Sequence, residues 1–397
     1  MRVVVKVVRV VAVAVTRLAH FRIALWLLIF TIPVRAAVLP EDRADVLTHS
    51  YQGGGMDITG PSVLVRKGDD KSFSAYANYY VDNISSASID VQALGASPYK
   101  EERIEQSVGM DILHGKSIMS LGYTNSQEND FISDSFHFGI SMDMFGDLTT
   151  VSMGFSRIQD QIFKTGAPDF SEEAARRFYR LGLSQVLTKN LLLGVNFESI
   201  SDEGYLNNPY RQYRYQLSDG TTDFKTEVYP RTRTSNALSF QAKYYLPYRA
   251  AIQYQQRVFS DDWGISASDS EVGYTHPFGD NFIVEFRYRL YAQDRADFYS
   301  DLHALQSSQA LDYRARDKEL STYNSTTLGL VLSYEFGKSG WWFVDKASLN
   351  LVYDYMQFEY EDFRDVRASI NEPSLLGNEP NYQFSANVLQ FFLSVWY

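Results

Sequence analysis

The chain has 397 residues, 45% apolar and 21% charged, with 28 Tyr, 26 Phe and 5 Trp but no Cys. Disulfides, thiolate metal sites and cysteine nucleophiles are thereby excluded, so aromatic packing and hydrogen bonds must hold the fold. Setting aside residues 1–36, which carry six Lys/Arg and no Asp/Glu, 48 acidic side chains face 31 basic ones, the wrong sign for a nucleic-acid binder that must neutralise phosphate.

Residues 1–22 carry Arg2, Lys6, Arg9, Arg17 and Arg22 among valines and alanines; residues 23–34 are almost uninterruptedly apolar, and the run ends in Val34-Arg35-Ala36. This order predicts a signal peptide over 1–36, cleaved after Ala36. The alternative is a retained anchor, but an apolar run of about 12 residues is short where about 20 are needed. The long basic segment also admits a start codon downstream of Met1. Beyond residue 37 no stretch of 18 apolar residues occurs, which leaves no helical span in the mature chain.

From there to the end the period is two. Phe73, Ala75, Ala77, Tyr79 and Val81 alternate with Ser74, Tyr76, Asn78, Tyr80 and Asp82; Phe136, Phe138, Ile140 and Met142 alternate with His137, Gly139, Ser141 and Asp143. Leu191–Phe197, Leu238–Tyr244, Phe282–Leu290, Leu328–Tyr334 and Leu349–Tyr355 repeat the pattern. Segments of about ten alternating residues separated by turn residues are the signature of transmembrane barrel strands. Short turns at Gly68-Asp69-Asp70, His114-Gly115-Lys116, Gly146-Asp147, Thr188-Lys189-Asn190, Pro247-Tyr248 and Gly279-Asp280-Asn281 alternate with long polar connections at 83–100, 160–175, 201–234, 293–320 and 359–383. Short turns are then periplasmic and long loops external. Phe145, Phe278, Phe336, Trp341 and Trp342 flank short turns as an interfacial girdle.

Leu389, Phe391, Leu393 and Val395 alternate up to Tyr397, a C-terminal strand that resembles the signal read by the outer-membrane barrel-assembly machinery. The expected fold is all-β: an antiparallel up-and-down transmembrane barrel. Counting back gives sixteen strands, near 44–52, 57–67, 71–82, 101–113, 117–126, 134–144, 148–159, 176–188, 191–200, 235–246, 249–259, 268–278, 282–292, 321–336, 344–358 and 384–397. The first two alternate poorly. Without them the count is fourteen, and residues 37–70 become an N-terminal arm or plug. A barrel of this size encloses a water-filled lumen.

Several segments carry a family resemblance: Gly53-Gly54-Gly55, Gly60-Pro61-Ser62-Val63-Leu64-Val65-Arg66-Lys67, Ala77-Asn78-Tyr79-Tyr80-Val81-Asp82, Ser85-Ser86-Ala87-Ser88-Ile89-Asp90, Ser97-Pro98-Tyr99-Lys100-Glu101-Glu102-Arg103 and Gly204-Tyr205-Leu206-Asn207-Asn208-Pro209-Tyr210-Arg211. Together they resemble a domain-of-unknown-function family of exported Gram-negative proteins of about this length. The resemblance implies an outer-membrane barrel and brings no catalytic residues. It also implies a genomic neighbourhood with a small lipoprotein, a thioredoxin-like protein and a flavin transferase, hence periplasmic lipoprotein or redox partners.

No catalytic, cofactor or metal set stands out. The best histidine pairs are His137 with Ser141 or Asp143 on one lumen face, and Asp301 with His303 facing Asp261-Asp262; a water-activating site needs such groups at hydrogen-bond distance. His49 falls in the weakest strand, His114 in a turn, and His276 on the lipid-face parity. Glu359, Glu361, Asp362 and Asp365 lack an EF-hand pattern and read as solvated loop near lipopolysaccharide. Lumen charge says more. Glu101, Arg103, Glu105 and Asp111 face inward on the fourth strand and Glu285, Arg287 and Arg289 on the thirteenth, nearly opposite; the two walls either create a transverse field or join Glu198, Lys243, Arg257 and Asp354 in a paired ladder. Tyr205, Tyr210, Arg211, Tyr213 and Arg214 lie in the longest loop, which binds glycans or lipid phosphates, folds into the mouth, or packs on itself. The expected function is a passive channel or export port for small polar solutes. The alternatives are a non-conducting scaffold or surface-interaction protein that anchors a periplasmic lipoprotein or redox partner and, behind it, an outer-membrane hydrolase.

Overall fold

The computed structural model describes residues 38–69, 71–86, 99–304, 313–338, 340 and 342–397. The expected signal peptide over 1–36 lies outside these residues, as do Trp341 and most of the 83–100 connection. The first nine strands are β1 (Arg43–Gly53), β2 (Met56–Gly68), β3 (Phe73–Ser86), β4 (Tyr99–His114), β5 (Ser117–Gln127), β6 (Phe131–Met144), β7 (Thr149–Phe163), β8 (Ser171–Thr188) and β9 (Leu191–Gly204). A short hairpin follows, β10 (Gln212–Gln216) and β11 (Thr222–Thr226). The wall resumes with β12 (Thr232–Tyr245), β13 (Ala251–Asp261), β14 (Ser266–Phe278), β15 (Phe282–Gln293), β16 (Tyr323–Phe336), β17 (Lys346–Arg364) and β18 (Asn381–Trp396).

Apart from β10 and β11, each strand pairs antiparallel with its neighbours along the chain, and β1 closes on β18 from Arg43↔Trp396 to Gly53↔Ala386, giving a closed barrel. Sixteen strands form this wall, not fourteen. Residues 43–68 are two of them, not an arm or plug. Their poor alternation has a local cause. The outward positions of β1 are Ala44, Val46, Thr48 and Ser50, small and weakly apolar, so the lipid face carries little signal. In β2, Pro61 cannot donate to a ladder, and the β2–β3 register omits Gly60 and Pro61 between Thr59↔Asn83 and Ser62↔Tyr80. The two strands join through Gly54 and Gly55, both left-handed (φ 61° and 81°), the two-residue turn that matches strand twist.

The period-two reading assigns the faces correctly: Phe73, Tyr79, Leu181, Leu238, Phe286, Leu328 and Phe391 are outward and exposed, as an apolar band toward lipid requires. Phe145, Phe278 and Trp342 are exposed beside short turns. Strands run further than their apolar alternation, because beyond the apolar band polar residues still pair. The 160–175 connection therefore shrinks to residues 164–170, and β17 and β18 reach in to Arg364 and Asn381.

At the long-loop end, the connections after β9, β13, β15 and β17 fold together with the outer ends of β17 and β18 into a cap. Its core is Tyr229, Trp263, Ile265, Ala296, Tyr299, Ala315, Leu320, Phe363 and the strand-end residues Tyr360 and Tyr382, with Phe298, Phe358 and Phe384 packed against them. Trp263 and Phe298 meet edge to face at 5.2 Å, and Phe358 stacks on Phe384 at 4.6 Å. Each buried aromatic contributes roughly 1.5–3 kcal/mol. Bridges Tyr215↔His303 and Val228↔Arg314 tie the hairpin loop to the segment after β15, and Tyr299↔Ala315 closes that segment on itself. Helix α1 (Arg367–Asn371) lies in the connection before β18.

Candidate functional site

The inward parity of the wall is charged, and its charges pair locally. Arg43 meets Asp45 (3.0 Å), Arg66 meets Asp111 (2.6 Å), and Arg103 meets Glu105 (2.6 Å) and more loosely Asp82 (3.7 Å). Arg176 meets Asp160 (3.2 Å), and Glu198 holds both Arg180 (3.0 Å) and Arg257 (3.1 Å). Arg233 meets Asp261 (2.6 Å), Arg287 meets Asp354 (2.9 Å), Arg289 meets Asp269 (3.4 Å) and Lys346 meets Glu41 (3.1 Å). Glu285 accepts from Thr275 Oγ1 at 3.2 Å. Lys243 stands apart: it lines a polar recess with Gln241, Gln253 and Gln255, and no carboxylate among the described residues pairs with it.

Of the two readings of these walls, local pairing describes the arrangement, without Lys243, and a field between an acidic wall and a basic one does not. Arg287 and Arg289 make β15 basic alone, but its neighbours bring Asp269, Glu271 and Asp354 to the same face. Both walls lean acidic, and each carries its own counter-charges. Glu101 points to a different cluster: one carboxylate oxygen each from Glu101, Glu128 and Asp130 lies within 4.8 Å of the others at the long-loop end. Burial raises the Glu128 carboxyl despite Arg103 nearby. By ligand chemistry this is the one group among the described residues that could hold a divalent cation.

Neither of the two candidate histidine pairs forms. Asp143 accepts from Thr150 (2.7 Å), while His137 packs where Gly122 leaves room for its ring. His303 Nε2 bonds the Ala315 carbonyl (3.0 Å), Asp301 is taken by Arg214 and Arg316, and Asp261 by Arg233 and the Trp263 and Ile265 amides. The pair that does form is a different one: His49 Nε2 lies 2.8 Å from Asp82 and 3.1 Å from the Tyr80 hydroxyl, with the two rings stacked. Inward parity on β1 and β3 finds it once β1 is accepted as wall. Glu361, Asp362 and Asp365 are engaged by Asn324, the Thr322 amide and Arg367.

The loop residues are structural members of the cap. Tyr205 packs on Phe170 (5.5 Å) under Arg231 (5.6 Å), and the Tyr210 hydroxyl bonds Asp130 and the Thr165 amide. Arg211 pairs with Asp317 (2.6 Å), and Tyr213 is buried against His303 (5.1 Å). Arg214, with its side chain 2% exposed, donates to Glu379 (2.5 Å) and to both the carboxylate and carbonyl of Asp301; Arg316 donates to Asp301 (3.1 Å), and its amide to Glu227 (2.6 Å). Of the loop's three readings, a loop packed on itself and its neighbouring connections describes this geometry. Burial and Asp317 push the Glu227 carboxyl up to about 7, and burial pushes Asp317 up to about 6 against Arg211. Burial acts on Glu379 too, but Arg214 outweighs it and holds that carboxyl at about 2.

Among solved structures, a bacterial polysaccharide outer membrane secretin is similar at 8% identity and TM-score 0.48, covering 90% of this chain and 99% of its own. A loop-deleted OmpT of Vibrio cholerae is similar at 9% and 0.42 (91% and 100%), and Pseudomonas aeruginosa OccK2 (OpdF) at 10% and 0.42 (91% and 99%). No curated protein matches the chain. The model of the family described as "Protein of unknown function (DUF3570)" matches residues 57–387, and the chain belongs to that family.

Proposed function

We propose that this protein is a passive channel for small polar solutes across the outer membrane, its short-turn end in the periplasm and its cap outside. The supporting observation is the exposure of the inner face: the Arg180 and Arg289 side chains point inward from the wall and are still 55% and 44% exposed. Sealing such charges into a dry core costs several kcal/mol per ion, whereas a sixteen-strand lumen has room for water. The cap, built on the long-loop ends of β9, β13, β15, β17 and β18, would act as the size filter of the mouth.

The test is single-channel recording of the purified barrel under a salt gradient. Arg287→Gln with Arg289→Gln should shift selectivity toward cations, and Glu101→Gln with Glu105→Gln toward anions, since fixed charge in a wet pore repels co-ions. Absence of current in wild type and both variants would overturn the channel in favour of a non-conducting scaffold.

A further inference from the structure

Near the short-turn end of β7, β8, β9, β12 and β13, the inner wall opens into a recess of about 330 Å³, at the small end of ligand-sized clefts. Register explains it. One row across the wall reads Ser152, Gly182, Asn196 and Ser239, and the next reads Ser184, Gly194, Gln241 and Gln255. Gly182 and Gly194 contribute no side chain where their neighbours do. A Cβ on Gly182 would sit 2.4 Å from Ser152 Oγ and 2.8 Å from Asn196 Oδ1. The lining side chains on the inward parity are therefore hydroxyls and carboxamides, apart from Leu192 beside Lys243.

Into this neutral polar surface comes a single cation. Lys243 lies between Leu192 and Gln253 in register, two or three residues from the β12–β13 turn. Below the cap, every other inward-facing Arg or Lys on the described wall strands has the carboxylate partner given above. Glu271 faces inward two strands along, opposite Gln255 and Arg289, and no ion pair joins it to Lys243. Gln241 donates to Gln255 (2.6 Å), which keeps both amides at the wall. A flexible ammonium without a counter-ion, ringed by groups that both donate and accept, matches one ligand chemistry: an anionic head to meet Lys243, and hydroxyls to meet the amides and serines.

We infer that this recess is a solute-binding station for small hydroxyl-bearing anions, such as sugar-acid carboxylates, just inside the periplasmic mouth. The inference rests on the channel reading for its place in transport. One charge and dispersed neutral partners favour weak binding, around millimolar, as passage through a pore requires.

The test uses the full mature barrel, with D-gluconate as probe and sorbitol as its uncharged counterpart. Titration calorimetry should detect gluconate and not sorbitol. Lys243→Gln should weaken binding tenfold or more, Lys243→Arg should stay within a few-fold of wild type, and Lys189→Gln, the same charge change in an exposed turn, should leave binding unchanged. Heat-modifiable migration confirms that each variant is folded. Equal binding by Lys243→Gln and wild type, equal binding of sorbitol, or no gluconate binding would each overturn the station. Failure of the channel reading is distinguishable: Lys243-dependent binding in a barrel that passes no current keeps the station and removes the channel, and current without Lys243-dependent binding does the reverse.

Discussion

Arg287 in the wall and Arg214 in the cap both pair with carboxylates, but they belong to different kinds of structure. Arg287 reaches across one strand, over Gly329, to Asp354, and the three residues are register partners on β15, β16 and β17. A Cβ on Gly329 would lie 2.5 Å from Asp354 Oδ1, so the pair needs glycine between its members. Its side chains stay part-exposed to the lumen, where an ion pair contributes about 1 kcal/mol or less. Arg214 is buried, and its partners Asp301 and Glu379 lie 87 and 165 residues further along the chain. Wall contacts repeat a local rule, and no single one is critical. The cap concentrates its stability in a few long-range contacts that cannot lose a member without stranding a charge.

The largest expected effect follows from that difference. Arg214→Ala leaves Glu379 without its cation and Asp301 with Arg316 alone, and breaking a buried pair on one side costs about 3–5 kcal/mol. Limited trypsin digestion should cut the cap rapidly while the barrel keeps its heat-modifiable migration. If the barrel unfolds along with the cap, the two regions are not separable; if the cap stays as resistant as wild type, the cluster does not hold it. In the wall, Leu328→Arg places a charge on an outward position 54% exposed, and a cation near the midplane costs about 2–4 kcal/mol. Ser333→Arg, one face over on the same strand, should cost little. Urea titration of folding into vesicles compares them, and equal losses would show that the two faces of β16 are misassigned.

The same contrast explains what could be read from sequence. Where one face meets lipid, Phe282, Val284, Phe286, Tyr288 and Leu290 declare the strand and fix which charges face the lumen. Where that face is small, as on β1, or interrupted, as at Pro61, the strand exists but its signal fades, and His49–Asp82 is hidden with it. Parity alone cannot supply the counter-charges, because Asp269 and Asp354 reach Arg289 and Arg287 through inter-strand register. The cap is legible only as composition. Tyr205, Tyr210, Arg211, Tyr213 and Arg214 mark the right loop, but their partners sit in other connections, and no period in the chain links Arg214 to Glu379.

The smallest effect, and the one that best separates the regions, is a pH dependence confined to the cap. Glu227 accepts from the Tyr229 hydroxyl (2.7 Å) and the Arg316 amide (2.6 Å), with Asp317 and Arg211 close by. Its carboxyl is raised by burial to about 7, and that of Asp317 to about 6. An acid whose folded pKa is raised stabilises the fold fully below its free value near 4 and loses that contribution as pH rises through 6 to 7. Glu379, held at about 2, works the other way and weakens the cap only as pH falls below its free value near 4.5. The cap should thus be tightest near pH 5 and looser by pH 8, while the wall responds little. Because the chain has no Cys, Ala296→Cys places a lone thiol in the buried cap core, and its labelling rate relative to a free cysteine peptide reports opening with the thiolate fraction divided out. That ratio should rise about tenfold or more from pH 5.5 to pH 8, because each pH step of one between a carboxyl's free and folded pKa multiplies the opening constant by about ten. Glu227→Gln cannot ionise and should flatten most of the rise, leaving the part due to Asp317. An unchanged slope in that variant would show that Glu227 does not govern the cap, and an equal slope for a thiol placed in the lumen wall would dissolve the distinction between cap and wall.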